Sequence, residues 1–101
     1  MELKRVVVTG LGAVTPIGNS VPEFWKNLVA GVSGAGPITH FDASKFKTQF
    51  ACEVKNFDPN LYFDKKEVRK LDRYAHLAVA AAQEAVENSG IDLEKIDKDE
   101  V

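Results

Sequence analysis

The sequence predicts an α/β fold, because patterns typical of strands and of helices follow one another along the chain. Three observations support this class: consecutive valines precede a glycine pair, an amphipathic helical pattern begins near residue 21, and a longer helical pattern ends at Gly90. With 101 residues, 45% of them hydrophobic and 28% charged, the chain has a globular composition and room for one small domain at most. Its formal net charge of −2 gives no overall field that would attract nucleic acid or an anionic membrane.

A buried strand is predicted over residues 5–8. Three consecutive valines are typical of a strand that is covered on both faces. Gly10 and Gly12 follow, but a dinucleotide-binding turn needs a third glycine where Thr15 stands, and a helix that begins at the second glycine. We therefore expect the glycines to permit close backbone packing at the end of the strand. A nucleotide-binding enzyme is therefore the weakest of three hypotheses about function; the other two follow from the features described below.

The first helix is predicted to begin after a turn at residues 15–18. Ser20 and Glu23 have the spacing of a capping box, in which the hydroxyl accepts the amide of residue 23 and the carboxylate reaches back. Gly31 is expected to end the helix. The helical segment VPEFWKNLVA is expected to pack through its apolar side chains Phe24, Trp25, Leu28 and Val29.

A loop rich in glycine, serine and proline is predicted over residues 31–45, and a half-exposed strand follows it. In KTQFACEVKNF, Phe50, Cys52 and Val54 occupy alternate positions, so we expect these three side chains to face inward. Cys52 is the only cysteine, which excludes an internal disulfide and favours a reducing, cytoplasmic setting. As an inward-facing residue, it is expected to be inert packing.

A second helical region is predicted from an N-cap at Asp64 to Ser89, with Gly90 as the residue after its end. We expect a joint in this region at residues 71–73.

Two features predict that the chain cannot bury its own apolar surface. The segment YAHLAVAAAQEAV is apolar nearly all round, so it needs protein on several sides. The valine strand needs a layer on each face, yet only one other strand is predicted, and a two-stranded sheet is marginally stable in water. We therefore expect residues 1–101 to hold no complete domain and to contribute to a larger body.

The segment DKKEVRKLDR carries five cations on one side of a predicted helix. At about 100° per residue, they fall on an arc of roughly 140°. The segment has a charge of +2, whereas the rest of the chain sums to −4. This stripe is either a solvated helix face or a docking surface for an acidic partner, and the lack of interleaved aromatic residues argues against nucleic acid. The five residues are Lys65, Lys66, Arg69, Lys70 and Arg73.

Four stretches of the chain resemble a known family. They are RVVVTGLGAVTPIGNSVPEFWKNLVAGVSG, HFDASKF, FACEVKNFDP and KEVRKLDRYAHLAVAAAQEAVENSG, and they are similar to the N-terminal segment of the β-ketoacyl-acyl-carrier-protein synthases, most of all the type II elongating synthases of fatty-acid biosynthesis. The resemblance covers about the first quarter of such an enzyme. It implies the N-terminal part of a thiolase-like fold with α/β/α/β/α layers, in a homodimer.

The resemblance also implies a reaction. An acyl chain moves from its carrier protein to an active-site cysteine, malonyl-carrier protein loses carbon dioxide, and the carbanion attacks the thioester. The family's cysteine lies in a Thr-Ala-Cys-type motif, which the sequence around Cys52 does not match, and neither His40 nor His76 has a visible partner. We therefore expect no catalytic, cofactor-binding or metal-binding residue in this chain, and no activity from it alone.

Finally, the resemblance implies a role for the basic stripe. Carrier proteins are acidic, and similar synthases dock them on this helix, beside the entrance of the acyl tunnel. Matched by position, the carrier-binding residues are Lys65, Lys66, Arg69 and Lys70, while Arg73 stays open. The alternative is a small stand-alone interaction module that binds an acidic protein through residues 65–73.

Overall fold

The computed structural model describes residues 2–97 and 99. The helices are α1 (Val21–Val29), a 3-10 helix (Pro59–Leu61), α2 (Lys65–Lys70) and α3 (Arg73–Ser89), and the strands are β1 (Gly36–Pro37) and β2 (Phe50–Ala51). The two strands pair antiparallel, with Gly36 opposite Ala51 and Pro37 opposite Phe50. None of the described helices is long and apolar enough to cross a membrane.

The turn and the helix start near residue 20 are confirmed. The N–H of Thr15 donates to the carbonyl of Gly18 at 2.8 Å, and the Gly18 N–H donates back at 3.3 Å. Ser20 Oγ then accepts the N–H of Glu23 at 3.4 Å. The reciprocal bond from the Glu23 carboxylate is absent among the described hydrogen bonds, so only half of the predicted capping box forms. Gly31, with φ of +73°, follows the last turn of α1, as expected for a C′ glycine.

The joint between α2 and α3 is also confirmed. Asp64 Oδ1 accepts the N–H of Glu67 at 2.8 Å and so caps α2. Leu71 (φ −104°, ψ 143°) and Asp72 (φ −72°, ψ 159°) are both extended, and two consecutive extended residues end one helix and allow the next to take a new direction. Gly90 adopts the left-handed conformation at the end of α3.

The predicted strand over residues 5–8 is wrong for the described chain, since residues 2–14 belong to no strand. All three valines are exposed, Val6 to 89%. A strand exists only with a neighbour to which it can hydrogen-bond, and the described residues offer this segment no partner strand. A run of β-branched residues is therefore not sufficient to form a strand.

The second predicted strand is reduced to two residues, and of the three residues predicted to face inward only Val54 is half-buried. Phe50 is 65% exposed and Cys52 is exposed, whereas Ala51 and Glu53 are half-buried. Pro37 in the paired strand has no N–H to donate, which removes a rung of the ladder. Cys52 is therefore not the inward-facing packing residue that the alternating pattern predicted.

The predicted role of the two early glycines is confirmed. A Cβ at Gly10 would overlap the carbonyl oxygen of Ala85, and one at Gly12 would overlap that of Ala81, both on α3. The segment after the valines therefore lies directly on the backbone of α3, which only residues without a side chain permit.

The described residues bury little apolar surface. Ala43 and Ala80, the latter 3% exposed, are their buried hydrophobic residues, while Trp25 of α1 remains 62% exposed. Of the four apolar side chains through which α1 is predicted to pack, Phe24 is half-buried, whereas Trp25, Leu28 and Val29 are exposed. The radius of gyration is 17.7 Å, against about 13 Å for a compact domain of this length.

Candidate functional site

Helix α2 presents a cationic face to solvent. It spans six residues, and its four cations are all exposed, whereas Val68 is half-buried on the other side. Within residues 2–97 and 99, the close contacts between a basic and an acidic side chain are His40–Glu53 and Lys95–Asp92, so none of the four cations forms an ion pair there. We call this surface the basic face of α2; its residues are Lys65, Lys66, Arg69 and Lys70.

An aromatic segment lies directly ahead of α2 and is anchored by ring contacts. Asp58 caps the 3-10 helix by accepting the N–H of Asn60 at 3.0 Å. The rings of Phe57 and Tyr62 stack, with centroids 5.7 Å apart and planes 10° from parallel. Phe63 lies 5.4 Å from the ring of His76 on α3. The 3-10 helix is thus held on one side by the stacked rings that flank it and on the other by the contact of Phe63 with α3.

Arg73 does not belong to the same stripe as the other four cations. The sequence placed all five on one arc by assuming a continuous helix, but α2 ends at Lys70 and Arg73 is the first residue of α3. Its guanidinium carbon lies 5.7 Å from the centroid of Phe57. Arg73 is therefore oriented by an aromatic ring and not by the register of α2.

The glycine segment does not have the geometry of an anion site. Helix α1 begins at Val21, well after Gly12, and its first N–H donates to Glu84 Oε2 at 3.0 Å. The N–H of Ala13 donates to Glu84 Oε1 at 2.9 Å. A carboxylate of the chain itself already accepts the amides that a phosphate would need, which weakens the nucleotide-binding hypothesis further.

Glu53 joins the two sides of the β1–β2 region. Its carboxylate accepts the Thr39 hydroxyl at 2.8 Å and the Thr39 N–H at 3.2 Å, and it lies 3.6 Å from His40 Nε2. The hydrogen bond from the Thr39 hydroxyl is the main reason why the pKa of Glu53 is lowered from its ordinary value. His40 therefore has a partner, which sequence reasoning missed.

The remaining candidates for chemistry lie apart. His76 is 6% exposed, and its Nε2 has no hydrogen-bond partner in the described structure. Cys52 is exposed and forms no disulfide. The described residues hold no group of three or more histidine, cysteine, aspartate or glutamate side chains that could bind a metal ion.

Lys55 is a third residue whose role only the structure reveals. Its Nζ donates to the carbonyls of Gly34 at 2.8 Å, Glu53 at 3.0 Å and Pro16 at 3.2 Å. The ammonium thereby connects the loop before α1 with the loop after it. Nothing in the local sequence around Lys55 or Glu84 signals these long-range bonds.

Comparisons with known proteins agree on one family. The family described as "Beta-ketoacyl synthase, N-terminal domain" matches residues 3–101. The 3-oxoacyl-(acyl-carrier-protein) synthase 2 of Synechocystis sp. is 46% identical over 101 residues, which are 100% of this chain and 24% of that protein. The protein of the same name from Coxiella burnetii is 52% identical over 93 residues, 92% of this chain and 22% of that protein. The chain thus spans about a quarter of the length of the curated relatives it matches.

Solved structures show the same similarity. The ishigamide ketosynthase/chain length factor superposes with a TM-score of 0.79 at 39% identity, over 89% of this chain and 22% of that chain. A chain from the complex of a type II PKS acyl-carrier protein with its ketosynthase gives a TM-score of 0.66 at 27% identity, over 90% of this chain and 23% of that chain.

Proposed function

Since this chain belongs to the β-ketoacyl synthase family, we propose that it is the N-terminal part of an elongating 3-oxoacyl-carrier-protein synthase. The complete synthase joins an enzyme-bound acyl group to malonyl-carrier protein. Loss of carbon dioxide leaves a carbanion, which attacks the acyl thioester, and the enzyme thiolate is released. We assign no step of this reaction to Cys52, His40 or His76.

The role of this segment in the synthase is to dock the acidic carrier protein on the basic face of α2. The observation that carries this proposal is the exposure of Lys65, Lys66, Arg69 and Lys70 without an ion-pair partner among the described residues. Exposed charge pairs are individually weak, about 0.2–1 kcal/mol each, but several together steer association. Weak, fast contacts suit a carrier protein that must leave after each transfer.

The rest of the synthase covers the apolar surface of this segment. The exposed valines of residues 6–8 and the exposed side chains of Trp25, Leu28 and Val29 support this part of the proposal, because free-standing domains rarely present so much apolar surface. The same observation disfavours the stand-alone interaction module. By family resemblance we propose a homodimer in the cytoplasm.

The test of docking is charge reversal on the basic face in the complete synthase. Lys66→Glu, Arg69→Glu and Lys70→Glu together should raise the apparent KM for acyl-carrier protein by about tenfold or more, because three attractions become repulsions. The rate with a small acyl thioester should be unchanged. Equal losses on both substrates would indicate that the triple variant damages the helix and not the docking.

A matched control reverses three positive charges at positions outside α2. Lys4, Lys45 and Lys47 are exposed and lie outside α2. Their joint replacement by glutamate should leave the KM for the carrier protein within about twofold of the unchanged enzyme. If this control raises KM as much as the α2 variant does, net charge and not the basic face attracts the carrier.

A further inference from the structure

An open groove lies beside the basic face, between the β1–β2 region and the start of α3. Its volume is about 560 Å³. Arg73 lies three residues after Lys70, so their Cα atoms are at most about 11 Å apart. A protein seated on α2 can therefore reach the groove. Among its lining residues are Pro37, Thr39, His40, Glu53, Phe57 and Arg73.

Arg73 is oriented in this groove but has no anionic partner there. Its guanidinium carbon is 5.7 Å from the centroid of Phe57, whose ring is itself held by stacking on Tyr62. In the part of the chain that the structure describes, Arg73 forms no ion pair. A guanidinium that lies on an aromatic ring keeps its edge free, and this edge matches a carboxylate in a two-point contact.

The one carboxylate that lines the groove is already engaged on the other wall. Glu53 accepts the Thr39 hydroxyl and the N–H groups of Thr39 and His40, at 2.8, 3.2 and 3.4 Å respectively. It also lies against the His40 imidazole, at 3.6 Å. These bonds hold Glu53 at Thr39 and His40, so its charge is not available to Arg73.

A second cation adds to the surplus of positive charge. Lys55 also lines the groove, and its Nζ contacts only carbonyl oxygens among the described residues, those of Pro16, Gly34 and Glu53. Apart from His40, the groove holds the charges of Arg73 and Lys55 against the single charge of Glu53. The imbalance attracts an anion, and the side open to solvent is the side from which one can enter.

We propose that this groove is a carboxylate-binding site, in which Arg73 binds one aspartate or glutamate side chain of the protein that docks on α2. This inference rests on the proposed docking function and adds a specific contact to it. The basic face attracts the acidic partner without fixing its orientation, because exposed lysines are long and mobile. An oriented guanidinium in a groove fixes the partner's register through one side chain.

The test measures the Kd of the acyl-carrier protein for the complete synthase. Arg73→Met keeps the length of the side chain and removes its charge, and should weaken binding about three- to tenfold. Arg73→Lys keeps the charge but lacks the planar guanidinium, so its Kd should lie between that of the unchanged synthase and that of Arg73→Met. This second variant also gives a result if the methionine variant folds poorly. Lys47→Met, which removes one positive charge at an exposed residue outside the groove, should not alter Kd.

Acidic residues of the carrier protein are then neutralised one at a time. One such change should cancel the effect of Arg73→Met while leaving the effect of Lys66→Met intact. The groove proposal is wrong if Arg73→Met leaves Kd unchanged while Lys66→Met raises it, in which case docking on α2 still stands. If neither Arg73→Met nor the joint replacement of Lys66, Arg69 and Lys70 by glutamate alters Kd, both proposals fail.

Two further results would also overturn the groove proposal. The first is that Arg73→Met weakens binding but no single carboxylate of the carrier is coupled to it, which would mean that Arg73 acts through the structure of the joint. The second is that inorganic phosphate, titrated into the synthase without carrier protein, binds tightly and loses its affinity in the Arg73→Met variant. The groove would then serve a free anion and not a protein side chain.

Discussion

The carboxylate of Glu84 accepts the backbone N–H of Val21 at 3.0 Å, across 63 residues of sequence. The same carboxylate accepts the N–H of Ala13 at 2.9 Å, so one side chain of α3 holds both the glycine segment and the first turn of α1. Glu84 thereby places a negative charge at the N-terminus of a helix, where it is favourable.

Replacing Glu84 with alanine should destabilise this junction by about 1–3 kcal/mol, because two backbone N–H groups lose their acceptor. Amide hydrogen exchange at residues 13 and 21 of the complete synthase should become faster accordingly. Glu84→Gln keeps one acceptor oxygen, so it should destabilise the junction less than Glu84→Ala does. Glu87→Ala, an exposed neighbour on α3, should leave both amides unchanged; if it speeds them equally, the effect belongs to the helix and not to the carboxylate.

Gly12→Ala should destabilise the protein by about 1–3 kcal/mol, because the new methyl group overlaps the backbone carbonyl of Ala81, which cannot move like the end of a side chain. Gly36→Ala is the matched control, since a Cβ there meets no atom within 4 Å. Thermal unfolding should show a clear loss for the first variant and at most about 1 kcal/mol of change for the second. Equal losses would contradict the close packing on α3.

Acid should weaken the contact between Glu53 and residues 39–40. The pKa of Glu53 is lowered, chiefly by the hydrogen bond from the Thr39 hydroxyl, so the folded chain favours the ionised carboxylate. Its stabilisation is present above the ordinary glutamate pKa of about 4.3 and is lost as the pH falls through the lower folded-state value. NMR shifts of the Thr39 and His40 amides should follow this titration. Glu53→Gln should abolish it, and its persistence in that variant would assign the titration to another group.

Docking on the basic face should weaken steeply with salt. Exposed charges are screened over about 10 Å at 0.1 M salt and about 3 Å at 1 M. The association rate of the carrier protein should therefore fall as salt rises. In the variant with Lys66, Arg69 and Lys70 changed to glutamine, this dependence should be much shallower, as stopped-flow measurements can show. A salt dependence that survives the substitutions would place the charged contact elsewhere.

Local signals in the sequence were sufficient wherever a few neighbouring residues decide the structure. The turn at residues 15–18, the caps at Ser20 and Asp64, the joint at residues 71–73 and the end at Gly90 were all predicted and are confirmed. The fold class implied by the family resemblance, part of a thiolase-like ketosynthase fold, is likewise confirmed by the comparison structures.

Tertiary structure decided what depends on distant partners. The valine segment is not a strand in the described chain because a ladder needs a neighbour, which no pattern within the segment can supply. Cys52 lies just outside the two-residue strand β2 and is exposed, and Arg73 leaves the basic stripe because α2 ends at Lys70 and two extended residues follow it. The contacts of Glu84, Glu53 and Lys55 join residues far apart in sequence, so only the folded chain brings together the residues that hold α1 and line the groove beside Arg73.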